Sequence, residues 1–348
     1  MKRSFLFGAL LFSGFLTAEA RSWRINNNAG VNADFTTFNA AVNAAGVQDG
    51  DTIYLEPSAI EYTTGSISVT KRLTVIAAGY LLDPSNGTYP GNPGLQLHTY
   101  DTRLAFFRLA SAASGSKFLG VTIAGSVYMN GASNIAFERC LFGGGLYFEN
   151  GTNNNTTVRK CYLNGAAISS SLSATITGFV CENSIFNSNA HINLPNLTGT
   201  DNIVRNNSIA NASNSFTLVN TYFVNNIVGT FSQNSLTNCT IKNNFFQVNQ
   251  TLPGTATNNQ VSANMGDIYT ATGSFDGRFT LKAASPAIGA GLTVGSVASP
   301  DCGAFGGTDP YKLSGIPNIP TIYQLTVPVS IPSGSATMNI TFSARNNN

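Results

Sequence analysis

The chain has 348 residues, 43% of them hydrophobic and only 10% charged, with a net charge of +2. So weak a charge provides no field to draw in nucleic acid or an anionic membrane. Its five cysteines are odd in number and scattered, and only two histidines are present, which argues against a disulfide framework or a Cys/His zinc site.

The chain opens with Lys2 and Arg3, an apolar run from Phe5 to Leu16, and Ala18-Glu19-Ala20. This is the layout of a secretory signal peptide cleaved near Ala20, and the apolar run is too short for a transmembrane span. Residues 1–20 are therefore read as a leader that takes the mature chain to the periplasm, the cell surface or the medium. A strand is expected at Ser22 to Ile25. Asp34 to Ala45 reads as an amphipathic helix with Asp34 as N-cap and Gly46 as its stop. Strands follow at Thr52 to Leu55, Ser66 to Val69, Leu73 to Ala77 and Leu104 to Leu109. Between them, Asp83 to Gly94 is rich in Pro, Gly and Asn and reads as a projecting loop.

From Lys117 the pattern is strands and turns alone. Phe118 to Ile123 and Val127 to Met129 form one coil, and six related segments follow. They are Glu138 to Phe142, Arg159 to Leu163, Glu182 to Phe186, Arg205 to Ile209, Val224 to Val228 and Lys242 to Phe246. Their apolar pairs recur roughly every 18 to 24 residues, the spacing of a solenoid whose units bury their faces only by stacking. Asn183, Asn207, Asn225 and Asn243 share nearly one phase. Asparagine tolerates the left-handed backbone of a sharp corner, and stacked amides can bond along the column as a ladder. A charged column runs beside it: Glu138, Arg159, Glu182, Arg205 and Lys242.

The closing segments, Ser285 to Gly291 and Asp301 to Gly307, are small-residue turns that permit tight backbone packing at the end of a stack. Beyond Gly315 come spaced prolines and two β-rich runs, Tyr323 to Val329 and Ala336 to Ser343. They read as an extended tail covering an edge or end of the solenoid.

Ala33 to Ala45 with Gly50 to Leu55, then Leu73 to Ile76, Phe118 to Ile123 and the Asn-bearing coils, together resemble the secreted right-handed parallel β-helix proteins of the pectin lyase-like superfamily. The closing turns are similar to the last coil of uncharacterised bacterial members. The resemblance implies an all-β fold, a right-handed parallel β-helix of about ten coils with a short N-terminal cap helix. Residues 21–315 form that body and 316–348 the tail.

The fold hosts lyases, hydrolases, esterases and adhesins alike, so function must come from a site. The galacturonan hydrolase signatures that the resemblance brings to mind (Asn-Thr-Asp, Asp-Asp, Gly-His-Gly, Arg-x-Lys) are absent, as are the pectin esterase signatures. Pectate-type lyases hold Ca²⁺ on clustered carboxylates, and here the acids of the coils are dispersed. The catalytic candidates are Glu138, Arg159 and Glu182, with the carboxylates two coils and about 9.6 Å apart. That sits at the edge of the ~6.5–9.5 Å of an inverting glycosidase, and Arg159 between them argues for a charge ladder instead. His98 and His191 lie in unlike contexts and read as surface or satisfied histidines. Cys140 and Cys161 stack in consecutive coils as a disulfide or as buried thiols. Tyr128, Tyr147 and Tyr162 are the candidates for stacking on sugar rings, with core lining as the alternative. The expectation is a secreted, non-catalytic surface, matrix or glycan-binding scaffold with no metal and no nucleic acid partner. The alternative is a polysaccharide lyase or glycoside hydrolase with a divergent site, and Ca²⁺ enters only there.

Overall fold

The computed structural model describes residues 19–346 except 64, 93–94, 96–97, 211–215, 231–233 and 254. The leader expected over 1–20 falls on residues 1–18, outside the described residues, with only Glu19 and Ala20 inside them. From Ser22 the chain winds through three parallel sheets, to which successive coils contribute strands in sequence order. The first sheet has ten strands, from Ser22–Ile25 to Thr240–Lys242, and the second has eight, from Arg103–Leu104 to Phe245–Phe246. The third runs from Ile67–Val69 to Asn234–Thr237. The protein is an all-β parallel solenoid. Its second sheet limits it to about eight turns rather than ten, because the earliest coils add no strand there.

Side chains alternate in and out along each strand, and equivalent inward positions stack from coil to coil. Phe118, Phe137, Val158, Cys181, Val204, Phe223 and Ile241 form one such column, all fully buried. Each large apolar side chain removed from water in this way contributes about 1.5–3 kcal/mol. Phe107, Phe118 and Phe137 stack at 5.2 Å between ring centres. Two runs expected as single strands are each divided between sheets. Leu104 to Leu109 becomes Arg103–Leu104 in the second sheet and Phe107–Ala110 in the third. Phe118 to Ile123 is broken at Gly120, whose φ of 66° turns the corner.

That corner is repeated by Arg139, Lys160, Asn183, Asn206, Asn225 and Asn243, with φ between 50° and 58°. Asn206, not Asn207, therefore turns its coil. Asn207 belongs to the next column, where Asn207, Asn226, Asn244 and Asn259 point inward as the ladder. Each amide donates to the next: Asn207 to Asn226 Oδ1 at 3.0 Å, Asn226 to Asn244 Oδ1 at 3.0 Å, and Asn244 to Asn259 Oδ1 at 2.9 Å. Ser184, Cys161 and Cys140 continue the column. The Cys161 amide donates to Ser184 Oγ at 3.1 Å and the Cys140 amide to Cys161 Sγ at 3.4 Å. All five cysteines are free thiols, and burial pushes those of Cys161, Cys181, Cys239 and Cys302 up.

The corner column has a second task. After the last coil the chain returns along this corner, and the turning residues hold it. Asn243 donates to Ala290 O at 2.8 Å, Asn225 to Leu292 O at 2.9 Å and Asn206 to Asp301 O at 3.1 Å. Asn183 donates to Ala304 O and Gly306 O at 3.0 and 2.7 Å, and Arg139 to Ile316 O at 2.6 Å. Buried Lys160 pairs with Asp309. The small-residue turns expected at the end of the stack thus lie along its flank. A Cβ on Gly303 would approach Ile227 Cδ1 to 2.7 Å, so only glycine lets the backbone come this close. A second apolar cluster fills the space beneath, with Tyr80, Tyr162, Ile185, Phe275, Phe279 and Tyr311. The tail, expected to cover an edge or end of the solenoid, contains an antiparallel hairpin of Thr321–Thr326 with Thr341–Arg345. Leu325 and Phe342 on it are exposed.

The helix spans Phe38–Asn43, shorter than expected, and buries Phe38, Ala41 and Val42. Its N-cap is Thr37, which accepts from the Ala40 amide at 3.1 Å. Asp34 is occupied elsewhere, accepting from the Arg24 amide at 2.7 Å. The helix ends before Gly46, with extended Ala44 as its C-cap.

Asp51, buried nearby, accepts from the Arg21 amide at 2.8 Å, the Trp23 indole at 2.7 Å and the Gln48 amide at 2.9 Å. Burial alone would raise its carboxyl, but these donors outweigh it and hold the pKa below the ordinary value. The folded pKa lies below the unfolded one, so this contribution is present above about pH 4 and fades as pH falls through the folded value. Asp51→Ala is expected to cost about 2–3 kcal/mol at neutral pH in urea unfolding. The gap to the parent should narrow at pH 3.

Candidate functional site

On the outer face of the first sheet, Glu138, Arg159, Glu182 and Arg205 stand in direct register on successive coils. Glu182 is nearly buried, its side chain 5% exposed, and its two oxygens are taken by different guanidiniums. Arg159 Nη2 binds Oε1, and Arg205 Nε binds Oε2 at 2.6 Å. Glu138 faces other cations, Lys160 at 3.6 Å and Arg139 at 3.9 Å. Arg159 therefore joins Glu182 alone, and the three catalytic candidates do not converge on one point. Each oxygen of Glu182 is thus engaged in an ion pair. As a rung of a charge ladder with half-exposed partners, Glu182→Gln is expected to cost only about 1–2 kcal/mol of stability. Polysaccharide retention by the variant should equal that of the parent.

The third sheet presents a different column. Arg108, Tyr128, Tyr147, Ser169, Asn193 and Thr217 stand in register on successive outward positions. The Tyr128 and Tyr147 rings stack at 5.5 Å with 26° between their planes. Arg108 lies over Tyr128, 5.3 Å from the ring centre, and reaches across it to grip Glu149 with two bonds of 2.9 and 3.0 Å. That grip raises the arginine's pKa. Gly145 sets the second ring: a Cβ there would come within 2.4 Å of Tyr147 Cζ, so its absence lets the ring lie back over the backbone. The two rings are half-buried, held from behind and open at the front. Hydroxyls and amides continue the column at the coil spacing of about 4.8 Å. Rigid aromatic faces beside fixed polar groups suit a polyhydroxylated chain.

Tyr162 does not belong to this surface. It is fully buried in the second apolar cluster, 5.6 Å from the Phe275 ring, because the returning segment covers its face of the second sheet. Burial, and then the charge of Asp276, drive its phenol far above the usual range. Sequence spacing could not separate Tyr162 from Tyr147, since the cover comes from more than a hundred residues away. Arg108, Gly145 and Glu149 were missed, and only their register with the two tyrosines could have marked them.

His98 is exposed and accepts from the Tyr100 amide at 3.0 Å. His191 is half-buried on the third sheet, with Nδ1 2.9 Å from Asn189 O. His191 begins the strand His191–Leu194, whereas His98 lies in the loop before Arg103. Among the described residues no group of three or more His, Cys, Asp or Glu is placed to hold a metal ion. No helix among them is long and apolar enough to cross a membrane.

No family model and no curated protein matches the chain. Among solved structures, the crystal structure of the pectate lyase Pel9A is similar, with 16% sequence identity over 82% of this chain and 96% of that chain. The TM-score is 0.35, too low to carry any statement about activity.

Proposed function

We propose that the protein is secreted after loss of residues 1–20 and acts as a non-catalytic surface or matrix scaffold, binding an extracellular polysaccharide along its third sheet. The stacked Tyr128–Tyr147 pair, braced by the Arg108–Glu149 ion pair and by the space at Gly145, carries this reading. A rigid ring pair loses little freedom on binding, which favours its use as a platform. Arg108 is already neutralised by Glu149, so the platform offers no unpaired charge to select a polyanion. A neutral or lightly charged glycan is the fitting ligand.

The test is incubation with acidic and neutral polysaccharides, with and without Ca²⁺. Binding should occur without new reducing ends and without the ultraviolet absorbance of unsaturated ends. Either product would instead establish a lyase or hydrolase with a divergent site.

A further inference from the structure

The first strand of the third coil ends at Ile76, and the coil does not resume until Arg103. Between them, Leu81 to Asp83, Asn86, Tyr89 and Thr99 to Asp101 lie over the outer side of the second sheet. Between these residues and the sheet lies a cavity of about 360 Å³. This is within the ~300–1,000 Å³ range of small-molecule sites.

Its sheet side is kept low by Ala124 and Gly143 of successive coils, followed by Asn164 on the next. At Gly143 a Cβ would meet Ala124 O at 3.3 Å, so a side chain there would crowd the cavity wall. Asn164 Oδ1 is buried and has no hydrogen-bond partner among the described residues. Tyr89 and Tyr100 stand at the rim, 43% and 45% exposed, and Tyr89 is fixed edge-on against Phe275 at 4.7 Å. Asp101 accepts long bonds from the Leu81 and Leu82 amides at 3.3 and 3.4 Å, with the Thr122 hydroxyl and Arg103 beside it, which leaves it room for a further donor. Arg103 is engaged by Glu61 at 3.4 Å.

We propose that this cavity binds a neutral mono- or disaccharide unit, its ring against Tyr89 and Tyr100 and its hydroxyls paired with Asp101 and Asn164. The unsatisfied oxygen of Asn164 calls for a donor, and a sugar hydroxyl donates and accepts at once. Charge decides against an acidic sugar. Asp83 and Asp101 both line the cavity, while its one guanidinium already has a partner. Burial also raises the Asp101 carboxyl, which a nearby uronate would raise further at a cost to binding. The site lies on the second sheet and is separate from the tyrosine platform on the third.

Titration calorimetry of the full chain with cellobiose, maltose, lactose and trigalacturonate tests this. At least one neutral disaccharide should bind saturably and trigalacturonate should not. Tyr100→Ala, at an exposed position where folding is not at stake, should weaken that binding tenfold or more. Gly143→Val should do the same by filling the cavity. Binding of trigalacturonate alone, silence from all three neutral sugars, or unchanged affinity in Tyr100→Ala would overturn the assignment. The platform is read by retention on polymer, so the two sites fail separately.

Discussion

Asp276→Ala is expected to destabilise the protein by about 4–5 kcal/mol. Asp276 is fully buried. It accepts from Asn92 Nδ2 at 2.9 Å, Ser274 Oγ at 3.0 Å, the Tyr311 hydroxyl at 3.1 Å and the Ser314 amide at 2.7 Å. Those donors come from the excursion over the second sheet, from its own turn and from the returning segment. One carboxylate thus fastens three stretches of chain distant in sequence. Tyr311 is joined in turn to Tyr80 at 2.7 Å, and burial, reinforced by Asp276, drives both phenols far up so that they stay protonated as donors.

Alanine would leave all these donors in a site closed to water, which is the costly case. Asp276→Asn keeps the shape but turns one acceptor into a donor facing donors, and should cost about half as much. Urea unfolding measures the difference. Limited proteolysis should cut the returning segment of the alanine variant first, since its coils keep their own cores.

Asn226→Ala is expected to cost about 3–4 kcal/mol. The side chain is fully buried and accepts from the Asn207 amide N–H and from Asn207 Nδ2, both at 3.0 Å. It donates to Val204 O at 2.9 Å and to Asn244 Oδ1 at 3.0 Å. Alanine removes one rung and strands polar groups on both neighbouring coils. Stability in a solenoid is a sum over neighbours, so losing one interface weakens the stack on either side. Asn226→Ser should cost clearly less. The chain itself shows why: Ser184 fills the equivalent place and still accepts from the Cys161 amide. Thermal and urea unfolding of the pair would reveal the order.

The repeat was legible because its physics is local. An apolar pair recurring at the coil spacing can only be a stacked core, and the charge column followed from the same register. The phase of the asparagines was legible only to within one residue. Asn206-Asn207, Asn225-Asn226 and Asn243-Asn244 each hold two tasks, a left-handed corner and an inward rung, and adjacent identical residues do not say which is which. Arg139 and Lys160 at the same corner were hidden for another reason. Neither residue type favours that backbone, and what holds them there is the returning chain, through Ile316 O and Asp309.

That returning segment is also why, of the two readings open for Tyr162, core lining is the one realised. It binds through backbone carbonyls and small residues, which leave no pattern in sequence. The platform was half visible: the tyrosines stood out because a phenol tolerates exposure, but the brace of Arg108 and Glu149 spans two coils and shows only in three dimensions. The cavity beside Asp101 depends on how a Pro/Gly/Asn-rich excursion folds back, and composition marks such a loop without placing it.

The platform is tested most directly by retention on immobilised neutral polysaccharides, comparing the parent with a Tyr128→Ala/Tyr147→Ala double variant. Both rings are half-exposed, so the variant should fold, and unfolding curves check that it does. Binding by the parent to at least one polymer, weakened tenfold or more in the variant, is the expected result; tenfold is about 1.4 kcal/mol. Equal retention of the folded variant would contradict the assignment of the third sheet as the glycan-binding face.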